Sequence, residues 1–332
     1  MLVDLHELEQ GALEAYAQRA VGSGADAADD DDDCVLAARD ANPLTAHSRA
    51  PCGASEADFA QEYWRDPRIH SFGNMGVLGA VHAGVAPLFT RGIDLFAYDN
   101  IDLRGHVLAQ LGASRAARLD NPVAAHTVRL AVDLGCGTGT MTRALAKGLP
   151  RARVRAFDTS DEMLGVANAL TAEAMGAAPR VAYARGNAER TPLAPGSADV
   201  VAISFVLHEA PAHGRRAILA EARRLLAPGG TLVVVDIARA FEPSPMMLIG
   251  EPYVHGYQEH IDAEIRETFS SDEGFAVEFF EPVSDRAEMW FCHAPVAPTP
   301  EFELDAGAAR GAVLPTSGRL TAAAEDREVS PA

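Results

Sequence analysis

The stretch Val132-Asp-Leu-Gly-Cys-Gly-Thr-Gly-Thr140 joins a short apolar run to an Ala-rich helical pattern. Gly135, Gly137 and Gly139 allow a sharp turn there and a close backbone approach to a ligand, because no Cβ stands in the way. The next apolar run ends in Asp158, nineteen residues after Gly139. An acid at that place can accept hydrogen bonds from both hydroxyls of a ribose. A loop and an acid so arranged point to a ribose-bearing ligand. The loop reads G-x-G-x-G, whereas a dinucleotide site wants G-x-G-x-x-G with its third glycine packing helix on strand. His208 and Glu209 directly follow the fourth apolar run. Imidazole has the reference pKa of a base near neutrality, so His208 is a candidate base. The competing role is to shape the pocket or touch the substrate.

These residues need a scaffold to bring them together. Val128–Leu134, Val154–Phe157, Val181–Ala184, Val200–Phe205 and Thr231–Asp236 read as strands. Met141–Gly148, Asp161–Met175 and Arg215–Leu226 read as the helices between them. Strands alternating with helices imply a parallel sheet covered on both faces, wound by right-handed crossovers. Ligands of such sheets lie at the carboxyl ends of the strands, near the switch in strand order. Thr159 and Glu162 have capping-box spacing before the second helix. Phe275–Val283 and Glu288–Val296 leave no room for a helix between them and predict an antiparallel hairpin across Pro282–Arg286. The fold expected is α/β and Rossmann-like: seven strands, mostly parallel, with a terminal antiparallel hairpin and a helical N-terminal cap.

Val132–Thr140 resembles motif I of the class I S-adenosyl-L-methionine (SAM)-dependent methyltransferases. Phe157-Asp-Thr-Ser-Asp-Glu-Met-Leu164 is similar to their second-strand motif, and Arg185–Leu193 to the loop after their third strand. Ala198-Asp-Val-Val201, Leu207-His-Glu-Ala-Pro211 and Arg224–Asp236 match the fourth and fifth strand regions. The likeness covers about residues 128–238 and is nearest to the menaquinone/ubiquinone-type branch. It implies a methyl transfer from SAM to a small molecule. The cofactor residues it implies are Asp133, Gly135, Cys136, Gly137, Thr138 and Gly139 of the first loop, then Asp158, Thr159 and Met163. Asn187 and Ala188 follow from the third strand, Ser204 and Phe205 from the fourth, and Tyr98 from a Tyr-Asp element before the first. Asn187 stands where the family often has Asp; its carbonyl can still accept from an adenine amino group. Asp133 is expected to orient the loop or reach the cofactor's ammonium. His208 and Glu209 are the catalytic candidates.

The rest of the chain adds constraints. A formal net charge of −19 disfavours nucleic acid, whose binding needs phosphates neutralised by Lys and Arg, and an anionic membrane surface likewise. Four cysteines without a C-x-x-C pair fit neither a zinc site nor a disulfide framework. With no signal-like or membrane-spanning run, the expectation is a cytoplasmic monomer or homodimer. Residues 1–55 read as a short helix (3–20) and a flexible connection with the acid run Asp29–Asp33. Residues 56–125 read as a helical cap forming part of an acceptor pocket, with helical patterns around Val77–Phe89 and Leu103–Leu111, 126–297 as the SAM domain, and 298–332 as a disordered tail. Trp64–His70, Asn74, His82 and Asp99 stand out in the cap. Tyr253, His255, Tyr257 and His260 stand out in an insertion over 241–273 that has the place of a lid. His255 and His260 with Glu251 and Glu259 could suggest a metal site, but no two of the histidines stand at i, i+4, so no metal is expected. The rival readings are a SAM-binding sensor or partner subunit without catalysis, and an NAD-dependent oxidoreductase.

Overall fold

Asp133 and its neighbours Ala131, Val132 and Leu134 have no exposed surface, so the first strand is covered on both faces. This strand, β1 (Leu130–Leu134), is an interior strand, third in the order of a seven-stranded sheet. The others are β2 (Arg153–Asp158), β3 (Val181–Arg185), β4 (Ala198–Ser204), β5 (Leu226–Ile237), β6 (Ala276–Val283) and β7 (Ala287–His293). Their order is β3-β2-β1-β4-β5-β7-β6. β1 pairs in parallel with both β2 and β4, so the strand order switches between β1 and β4. A crevice must open at the carboxyl ends there, because the connections leave the sheet on opposite faces. β7 runs antiparallel to β5 and β6 and is buried along its length. The computed structural model describes residues 63–66, 73–118, 127–176 and 178–296. All of them lie within the first of two compact units, Met1–Ala297. The expected helix over 3–20, the acid run, residues 67–70 and the tail from 298 lie outside the described residues.

The helices are α1 (Gly76–Gly92), α2 (Leu103–Arg118), α3 (Thr140–Gly148), α4 (Asp161–Met175), α5 (Ala212–Leu225), α6 (Pro245–Gly250) and α7 (Val254–Thr268). A π-helical turn, Ile93–Ala97, ends α1. In α5, Ile218, Leu219, Ala222 and Leu225 form the apolar stripe that packs on the sheet. α1 packs on α4, and the Gly76 amide donates to Glu162 Oε1 at 2.6 Å. α2 is tied beneath the sheet by Arg115, whose guanidinium donates to the carbonyls of Asp199 and Gly229. Among the described residues no helix is long and apolar enough to cross a membrane.

Three local expectations are corrected. The cap of α4 is Ser160, not Thr159. Ser160 keeps an extended backbone, and its hydroxyl accepts from the Met163 amide at 3.1 Å, so the helix starts one residue later. Thr159 is thereby released to face the ligand cavity. Helix α5 ends at Leu225, because Leu226 already pairs with Ala198 as the start of β5. Helix α2 runs on to Arg118, beyond the Leu111 expected, since Ser114 and Arg115 are buried through polar partners that apolar periodicity does not register. Ser160→Ala removes a buried cap and is expected to cost about 0.5–2 kcal/mol. Urea unfolding should show a lower midpoint at unchanged slope.

Candidate functional site

A cavity of about 700 Å³ opens at the carboxyl ends of β1, β2, β4 and β5. The glycine loop forms one wall. Gly135 has φ +72°, and a Cβ there would stand 2.6 Å from the Val206 side chain. Gly139, at φ +78°, packs against the Tyr183 hydroxyl. The loop is pinned from β2: the Gly135 and Cys136 amides donate to Phe157 O, at 2.8 and 3.0 Å. Asp158 Oδ2 accepts from the Gly137 amide at 2.7 Å, and Oδ1 from the Ser160 amide at 2.9 Å. Both bonds fix the carboxylate at the cavity edge.

Asp133 is wholly buried yet lines this cavity. Oδ2 accepts from the Thr142 hydroxyl at 2.5 Å, while Oδ1 has no hydrogen-bond partner. Burial, opposed by the Thr142 bond, pushes its pKa up to about 7. An orphaned carboxyl oxygen of this kind is costly unless a cation or donor arrives to meet it. Asn187 lines the cavity, with Oδ1 accepting from the Glu189 amide at 2.8 Å and so shaping the turn. Phe205 adopts φ +55° and stacks on Tyr98, with ring centroids 6.1 Å apart. Burial, then the nearby Asp236 charge, raises the Tyr98 phenol well above its ordinary pKa.

Beyond these groups the lining turns apolar and aromatic, with Tyr63, Trp64, Phe89, Ile93, Phe241 and Met247. His208 sits between the two regions, 5% exposed. Its Nδ1 is 2.5 Å from Asp236 Oδ1, and its Nε2 is 3.3 Å from Glu251 Oε2. Burial alone would lower the pKa of the ring. The Asp236 and Glu251 carboxylates outweigh it and hold the ring well above its usual range, as imidazolium.

Tyr98, Asp133, Gly135, Cys136, Gly137, Thr138, Asp158, Thr159, Met163, Asn187, Ser204, Phe205, His208 and Glu209 are all brought to this cavity. Gly139 and Ala188 do not line it: the first faces Tyr183 and the second packs in the core. Trp64, Asn74 and His82 line it; Asp99, Tyr253, His255, Tyr257 and His260 do not. No group of three His, Cys, Asp or Glu suited to a metal occurs among the described residues. Sequence reasoning passed over Asp236, Arg104, Arg286 and Met247, and weighed Glu251 only as a metal ligand beside His255, Glu259 and His260. Asp236 carried a signal, since it stands at the end of an apolar strand as Asp133 and Asp158 do.

Residues 131–230 match the family model described as methyltransferase domain. A demethylmenaquinone methyltransferase of Lactiplantibacillus plantarum is 31% identical over 175 residues, which are 48% of this chain and 72% of that one. The chain belongs to the class I SAM-dependent methyltransferases. Another relative is a ubiquinone/menaquinone biosynthesis C-methyltransferase of Methylobacterium nodulans, 35% identical over 113 residues, 34% of this chain and 43% of that one. A trans-aconitate 2-methyltransferase of Methylobacterium radiotolerans is 34% identical over 158 residues, 42% of this chain and 55% of that one. The chain thus spans about half the length of these first curated relatives. The family match holds the glycine loop, Asp158, Asn187 and His208. Trp64, α1, Asp236 and Glu251 lie outside it.

Proposed function

We propose that the chain transfers a methyl group from SAM to a small-molecule acceptor, releasing S-adenosylhomocysteine. The observation that carries the reading is the unpaired Asp133 Oδ1, buried beside a glycine loop in a cavity that continues into an apolar, aromatic chamber. Asp133 suits an ammonium group. Asp158, already oriented by two amides, suits the ribose hydroxyls, and the Asn187 turn suits the adenine edge. Cys136, Met163 and Phe205 supply apolar walls around them. When bound, SAM supplies a methyl group on a sulfonium, a ready leaving group. The protein's part is then to align an acceptor and exclude water, which can lower the barrier by up to roughly 7–11 kcal/mol. The stacked Tyr98–Phe205 pair and the helices before β1 wall the chamber on the acceptor side, which supports a role for that cap in acceptor binding. His208 is a positioning residue in this scheme, because both of its ring nitrogens are engaged. The net charge of −19 supports a small acceptor and not a nucleic acid.

Calorimetric titration with SAM, S-adenosylhomocysteine and NAD tests the reading. Binding of SAM and its product, with none of NAD, is expected. Well-folded protein that ignores SAM would refute it. The pH series has a definite sign. Asp133 titrates near 7 without ligand, and a cation favours its charged form. SAM affinity should therefore rise with pH through that value and fall below it, and Asp133→Asn should flatten the series.

A further inference from the structure

We propose that Glu251 is the proton-accepting residue of the acceptor site, coupled through His208 to Asp236. The proposal rests on the methyl-transfer reading for the reaction it serves. Asp236 is wholly buried at the carboxyl end of β5. Its Oδ1 accepts from the Ile237 amide at 2.8 Å and its Oδ2 from the Leu207 amide at 3.0 Å. So pinned, the carboxylate can only accept, and the proton between it and His208 belongs to Nδ1. The opposite nitrogen faces Glu251, at the carboxyl end of α6 in the β5–β6 insertion. The His208 side chain is 6% exposed and that of Glu251 16%, and both line the cavity. The array therefore runs from core to cavity and ends on a carboxylate.

The two phenols around the ring do not compete for this role. Tyr257 of α7 packs edge-on against it, and its phenol donates to Ile237 O at 2.9 Å. Tyr98 faces from the cap side, its phenol held neutral by burial. Glu209 lines the same cavity one residue on. Asp236, His208 and Glu251 together leave one net negative charge at the chamber wall. Such a wall takes a proton from a neutral or cationic acceptor, a hydroxyl, an acidic C–H or an ammonium, and repels an anionic one. The acceptor's X–H bond breaks and its electron pair stays on X to bond the methyl carbon. The methyl–sulfur pair goes to sulfur, and the proton resides on Glu251 until water removes it.

The first test reads the His208 ring by ¹⁵N NMR of the full chain across pH, without ligand. Glu251→Gln is expected to lower the His208 titration midpoint by about 1–3 units, and Glu251→Asp to restore much of it. An unchanged midpoint in Glu251→Gln overturns the coupling. The second test follows S-adenosylhomocysteine release with catechol, a 1,3-diketone and a primary amine as probes. With the probe that turns over, Glu251→Gln should lose about 10²–10⁴ in kcat at unchanged KM for SAM, and its pH profile should lose the acid limb. A kcat within about threefold of wild type overturns the base role. Titration of the same proteins with SAM separates the two readings. Wild type that fails to bind SAM refutes methyl transfer, while the NMR result still decides the coupling.

Discussion

Asp158→Ala is expected to weaken SAM binding by at least about 100-fold, since each hydrogen bond to a charged group is worth about 1.5–3 kcal/mol. The effect has two parts. The carboxylate is the acceptor proposed for the ribose. It also holds the Gly137 amide at 2.7 Å and the Ser160 amide at 2.9 Å, so its removal frees the glycine loop and the entry of α4 together. Asp158→Asn separates the parts. It keeps one carbonyl acceptor but turns an amide group toward one of the two N–H donors, so an intermediate loss is expected. Calorimetry on the three proteins reads this directly. Wild-type affinity in Asp158→Ala would remove the ribose from this corner of the cavity.

The largest loss of stability is expected from Arg215→Met. Arg215 is 1% exposed and makes a two-pronged pair with Glu264 of α7, Nε to Oε2 at 2.8 Å and an NH2 to Oε1 at 3.1 Å. It also donates to Ala210 O at 2.9 Å and Gly256 O at 3.2 Å. One side chain thus joins α5, the turn after His208, and the helix that carries the insertion over the site. Removing it strands a buried carboxylate, at a cost of about 3–5 kcal/mol. The exposed Arg216, 3.7 Å from Glu264, offsets little of this because solvent screens it. Adding Glu264→Leu removes the stranded charge and should recover at least half of the loss. Guanidinium unfolding of both variants checks the pair. A single variant within 1 kcal/mol of wild type, roughly the worth of an exposed pair, would show that the bridge is replaceable.

The two predictions differ in how far the sequence alone reaches them. Asp158 was legible, because a glycine loop after one apolar run and an acid closing the next are local patterns with a shared physical reason. The sheet was legible too. Apolar runs alternating with helical stretches leave few ways to bury both faces, and Phe275–Val296 had no room for anything but a hairpin. Small errors at Ser160 and Leu226 arose where neighbouring residues could each satisfy the rule and long-range pairing chose between them.

His208 was legible as a residue of the cavity, but not in its state. An imidazole beside a strand end, seen alone, leaves both a base and a pocket-shaping role open. Its two ring nitrogens are claimed by Asp236, twenty-eight residues on, and by Glu251 of the insertion. The same holds for Arg215 and Glu264, which are separated by 49 residues. The sequence by itself determined the elements, their order and the cofactor-type loop, because those follow from local periodicity and turn chemistry. Only the tertiary structure decided which charges meet. Burial sets the strength of each charge, and burial depends on partners that no local pattern names.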